Sequence, residues 1–173
     1  MGQINVSTFP KFGNLTYGSG LAAVFDGTEA TTGYAQGTIG WAGVDFRSSP
    51  QRIGRAEVVS ATNGFDASGA TSEILLELRA KNGSPPVNPG DGVFIGADAQ
   101  WFTDQNLQRT VTLNCVDNVT EWDFVWVMVK TGVWSVMAEV RLFGPRSRRN
   151  STRGRRPWRT RRPSRPSRRS SRA

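Results

Sequence analysis

The sequence predicts an all-β protein: an antiparallel jelly-roll sandwich of about eight strands, followed by a disordered C-terminal tail. Three observations carry that prediction. Apolar and polar residues alternate in blocks of strand length, helical periodicity is nearly absent, and Gly, Pro, Asn, Asp and Ser gather between the blocks. Many short strands joined by such turns bury their apolar faces as two packed sheets.

Taken in order, residues 1–20 form an N-terminal arm or edge segment, with Phe9, Phe12 and Tyr17 as its anchors on the domain or on a partner. Strands are predicted at Gly43 to Phe46 and Ile53 to Ser60, then a turn-rich loop from Asn63 to Gly69. Glu73 to Ala80 places Ile74, Leu76, Leu78 and Ala80 on one face. A loop with Pro85, Pro86 and Pro89 follows, and Thr110 to Cys115 alternates again. Trp122 to Lys130 is apolar on both faces, which marks a central strand covered on both sides. The last block, Trp134 to Phe143, sets Val136, Ala138, Val140 and Leu142 against Met137, Glu139, Arg141 and Phe143. Trp41, Trp122, Trp126 and Trp134 all fall within strand patterns and read as core.

Charge divides the chain at Gly144. Residues 1–144 hold nine basic residues against all fourteen acidic ones, a net charge of −5. Residues 145–173 hold thirteen Arg and no Lys, Asp or Glu. The overall +8 therefore describes neither half. The tail cannot bury enough apolar surface to offset its chain entropy. Two readings of it stand open. As a polyelectrolyte it binds nucleic acid without sequence preference, through Arg148, Arg149, Arg155, Arg156, Arg161 and Arg162 among others. Alternatively, Arg, Ser and Pro without Lys are what GC-rich DNA encodes when it is read out of frame.

The chain has no histidine, which removes Ser-His-Asp and Cys-His catalysis and the commonest zinc ligand. The acid pairs Glu73 with Glu77 and Glu121 with Asp123 read as wet strand faces rather than an acid–base cleft. The lone cysteine, Cys115, reads as buried packing. The N-terminus has neither the basic region nor the apolar run of a secretory signal, and no stretch is long and apolar enough to span a membrane. An enzyme is not expected. Among aromatic residues in loops, Phe65, Trp101 and Phe102 are candidates to stack on a sugar, with Arg47 supplying polar contacts.

Four segments, in order over roughly residues 20–144, resemble the galactose-binding-like jelly roll of the discoidin and coagulation-factor C-type family. They are Ala22-Ala23-Val24-Phe25-Asp26-Gly27, Trp41-Ala42-Gly43-Val44-Asp45-Phe46, Gln51 to Val58, and Met137 to Gly144. The resemblance implies an eight-stranded sandwich over residues 21–144, with glycan recognition in loops at one end. It also implies a structural Ca²⁺ where the Asp-Gly loop meets the closing strand, with Asp26, Thr28, Thr31, Thr32 and Glu139 as the positions carried over. Such domains without a signal peptide suit a phage-like virion protein, a head or tail decoration or fibre-base module. Its expected partners are other virion proteins and cell-surface glycan. The alternative is a cytoplasmic nucleic-acid-associated protein that binds through the tail.

Overall fold

A computed structural model describes residues 2–68, 73–97, 99–103 and 107–145. Twelve strands and one helical turn follow in order: β1 (Lys11–Gly13), β2 (Tyr17–Gly18), α1 (Gly20–Ala23), β3 (Gly33–Gln36), β4 (Ile39–Asp45), β5 (Arg55–Val59), β6 (Glu73–Lys81), β7 (Val93–Phe94), β8 (Gln100–Thr103), β9 (Thr110–Asn114), β10 (Phe124–Lys130), β11 (Trp134–Met137) and β12 (Glu139–Phe143). The all-β antiparallel prediction holds. One sheet runs β1-β4-β10-β6-β7, with β8 also paired to β6. Two three-stranded sheets, β9-β5-β12 and β2-β3-β11, contribute to the same core.

Between the sheets lie Ala42 and Val44 of β4, Ile74, Leu76, Leu78 and Ala80 of β6, and Val125, Val127 and Val129 of β10. Ala56 and Val58 of β5 and Leu113 of β9 meet them from the other side. The alternation seen in the sequence is thus the alternation of the fold. Strand β10 is central, paired residue for residue with β4 and β6. Its other face buries Phe124, Trp126 and Met128 with Trp41 in a second, outer cluster. Phe12 on the edge strand β1 closes that cluster, edge-on to Trp41, Phe124 and Trp126. Gly43 makes room for it: a Cβ there would stand 2.4 Å from the Phe12 ring. The 81–92 loop folds over the same face, where the Trp126 indole N–H donates to Pro89 O at 3.0 Å.

The block from Trp134 to Phe143 departs from expectation. It is two strands, β11 paired with β3 and β12 paired with β5, separated by Ala138. The core-facing parity slips at this break. Met137 faces the core before Ala138, whereas Val140 and Leu142 face it afterwards. In a strand, a shift of one residue exchanges the two faces. Trp134 is therefore carried out of the core, onto the outer side of the small sheet.

Candidate functional site

Strand registers sort the loops into two ends of the sandwich. At one end lie Ile39, Lys130 and Leu75; at the other lie Asp45, Phe124 and Lys81. The residues singled out from the sequence as sugar contacts do not share an end. Arg47 follows Asp45 at the second end. Its Nη2 is 2.7 Å from Asp45 Oδ2 and its guanidinium lies 5.0 Å from the centre of the Phe124 ring. That bond holds the Asp45 carboxyl below the usual carboxylate range. Phe65, at the first end, is wholly buried in the core cluster. It cannot stack on a ligand, and this corrects the reading of the 63–69 loop: the chain there is turn-rich, but Phe65 points inward and plugs the sandwich. Trp101 and Phe102 stand opposite Leu75 and Ile74 in the β6–β8 register; their side chains lie outside the described residues. So do Arg148, Arg149, Arg155, Arg156, Arg161 and Arg162 of the tail.

The structure brings together a different aromatic group. Tyr17 of β2, Tyr34 of β3 and Trp134 of β11 lie on the outer side of the small sheet, where Tyr17 is opposite Tyr34 and Trp134 is opposite Gln36. Ring centroids are 5.7 Å apart for Tyr17–Tyr34, 5.7 Å for Tyr34–Trp134 and 6.4 Å for Tyr17–Trp134, with planes 15°, 27° and 37° apart. A column of three rings would separate its ends by twice the neighbour spacing. These centroids form a near-equilateral triangle instead, with Tyr34 stacked against both Tyr17 and Trp134 and the outer pair tilted. Tyr17 is 45% exposed, and Tyr34 and Trp134 are partly exposed. The Tyr17 hydroxyl donates to Gln36 Oε1 at 3.2 Å, which puts an amide at the rim. Reading Trp134 as core concealed this group in the sequence.

Asp66 holds this aromatic tile of Tyr17, Tyr34 and Trp134 in place. Its carboxylate is fully buried. Oδ2 accepts from the N–H groups of Gly132 (3.1 Å) and Val133 (3.0 Å), and Oδ1 accepts from Trp134 N–H (3.3 Å), Ser68 N–H (3.0 Å) and Ser68 Oγ–H (2.7 Å). Two backbone bonds, Ala67 N–H to Trp134 O and Val136 N–H to Phe65 O, lock the same segments. The β10–β11 turn and the 61–68 loop are thereby one unit. Nothing marked Asp66 in the sequence except its spacing, since Asp-Ala-Ser is an Asx-turn pattern.

Of the positions carried over for calcium, Asp26, Thr28 and Thr31 are bonded within one loop, and Glu139 reaches that loop at Gly27. Asp26 Oδ1 accepts from Thr28 N–H at 2.8 Å, and Asp26 Oδ2 accepts from Thr31 Oγ–H at 2.7 Å. Glu139, 2% exposed, accepts from Gly27 N–H at 3.1 Å through Oε2. Asp26 and Glu139 line a cavity of about 290 Å³. No group of three or more Cys, Asp or Glu side chains gathers anywhere among the described residues. Any ion here would rest on two carboxylates plus neutral oxygens, a hard donor set that fits Ca²⁺.

Burial pushes the Glu139 carboxyl up to about 7; Arg141 draws it down, and Asp26 pushes it up. The ion-free fold thus favours protonated Glu139. Its stabilisation is complete below about pH 4.5 and is lost as pH rises through about 7. Urea unfolding without added ions should show lower stability at pH ~8 than at pH ~5, by a margin that Glu139→Gln removes. An equal pH slope in the variant would contradict this assignment.

Other candidates have structural roles. Glu77 pairs with Arg79 at 2.7 Å and Glu121 with Arg52 at 3.1 Å, while Asp123 accepts from Gly83 N–H at 2.7 Å. The Cys115 thiol donates to Asp117 O at 2.9 Å, and burial pushes its pKa up to about 11, which keeps it an unreactive thiol.

No family model matches the sequence, and no curated protein sequence matches it. The folded chain is nevertheless similar to solved structures. One is the CBM32 of AlyQ in complex with 4,5-unsaturated mannuronic acid, 12% identical with a TM-score of 0.57, covering 83% of this chain and 98% of that one. A second is the family 32 CBM from C. perfringens NanJ in complex with galactose, 14% identical at 0.57, covering 81% and 96%. A third is CpGH89CBM32-5 from Clostridium perfringens in complex with GalNAc-β-1,3-galactose, 14% identical at 0.57, covering 83% and 100%. The chain shares the β-sandwich fold of these modules. At these identities the likeness establishes the fold alone.

Proposed function

We propose that the protein is a non-catalytic glycan-binding module whose ligand rests on the Tyr17–Tyr34–Trp134 tile. The tile is the observation that carries this reading. Aromatic surface that is partly exposed, pre-arranged and fixed by a buried carboxylate offers the C–H faces of a pyranose a rigid platform at little entropic cost. Gln36 and the two tyrosine hydroxyls stand ready for sugar hydroxyls. The similar modules solved with saccharides bound lend it support. A bound Ca²⁺, held by Asp26 and Glu139 with the hydroxyls of Thr28 and Thr31, is part of the same proposal. It would brace the Asp-Gly loop against β12 and take no part in chemistry. Because it needs ionised Glu139, its affinity should fall as pH drops through about 7.

The setting we propose is a virion surface, where the module meets host-cell glycan while anchored to other virion proteins. The Arg-rich segment supports a second and separable activity, salt-sensitive adhesion to nucleic acid. A glycan array probed with the full chain at an ionic strength that screens the tail tests the first reading. Saccharide-specific signal that weakens with Tyr17→Ala is the expected result. A blank array, or signal indifferent to that substitution, would refute it.

A further inference from the structure

The N-terminal arm has no counterpart in the segments that resemble the jelly-roll family, yet it walls the cavity of Asp26 and Glu139. Ile4 N–H donates to Leu142 O at 2.8 Å, Gly144 N–H donates to Gly2 O at 3.1 Å, and Gln3 bridges antiparallel to Phe143. The arm therefore lies along the edge of β12. Val6 is buried in the core and fixes its far end. Gln3, Asn5 and Ser7 line the cavity, together with Asp26, Gly27, Glu139 and Arg141, whose guanidinium is paired with Glu29 at 2.6 Å.

The carboxylate in this cavity has few protein partners and opens onto the cavity. Glu139 is almost wholly buried, and the Gly27 N–H is its one hydrogen bond among the described residues; no ion pair reaches it there. Two carboxylates fall short of the six to eight oxygens that Ca²⁺ takes. The arm carries neutral oxygens. Asn5 Oδ1 accepts from Ser7 N–H at 3.0 Å and keeps a second lone pair, and Gln3 brings a further amide carbonyl. The cavity of about 290 Å³ also leaves room for water beside an ion.

We propose that residues 2–7 are a strap that completes the cation site, with Gln3 and Asn5 supplying neutral oxygens, directly or through water, toward the ion held by Asp26 and Glu139. Ion binding and strap docking then stabilise each other, since coupling between two equilibria is reciprocal. This rests on the cation reading of the cavity and is independent of the glycan reading. Hydrogen exchange on the full chain, with and without Ca²⁺, tests it together with calorimetric titration of Ca²⁺ into Gln3→Ala/Asn5→Ala. Both replaced side chains are exposed, so the variant should fold. Calcium should slow exchange at the Ile4 and Gly144 amides by about tenfold, and the double variant should bind it about tenfold more weakly. Calcium that binds wild type and variant equally, with exchange at those amides unchanged, would overturn the strap while leaving the cation site standing. A chain that takes up no calcium would overturn both.

Discussion

Asp66→Ala should cost the protein about 4 kcal/mol of stability and abolish glycan binding with it. The carboxylate is fully buried and, among the described residues, accepts from four backbone N–H groups and one hydroxyl. Removing it strands several part-buried donors around its buried position, and each donor left unsatisfied costs about 1–3 kcal/mol. For a domain of this size that loss lowers Tm by roughly 10–15 °C. Ser68→Ala removes the hydroxyl bond to Asp66 and should cost about 1 kcal/mol. A Tm for Asp66→Ala within a few degrees of wild type would show that the two loops are held by other contacts.

Trp134→Ala should separate binding from folding. The indole is partly exposed, and its neighbours Ser135, Val136 and Met137 fill the sheet beneath it. Its loss should cost about 1–2 kcal/mol of stability, whereas a central aromatic contact is worth about 2 kcal/mol of binding, roughly thirtyfold in affinity. Trp134→Phe keeps a ring on the tile and should retain most of the binding. Retention of full affinity by Trp134→Ala would move the site off the tile.

The sandwich was legible in the sequence because alternation over β6 and β10 is a local property: Ile74, Leu76, Leu78 and Ala80 had only one way to face a core. The tile was not. A single residue, Ala138, exchanges the faces of the last block, and apolar residues stand on both faces there, so the apolar alternation alone does not mark the slip. Glu139, a carboxylate that strict alternation sets on the same face as Met137, was the available sign that this block does not run straight. Phe65 was misread for a related reason. Turn-forming neighbours describe a backbone on the surface and say nothing of where one side chain points. Asp26 and Glu139, 113 positions apart, were associated only through the resemblance; the structure places both on one cavity.

The most direct test of the central claim is an amide and indole ¹H–¹⁵N titration of the full chain with a saccharide selected on the array. Perturbations should centre on the Trp134 indole N–H and the amides of Gly18, Gln36 and Val133. Perturbations confined to the opposite end, around Arg47, Gly83 and Val119, would contradict the account and place recognition in loops that the tile does not reach.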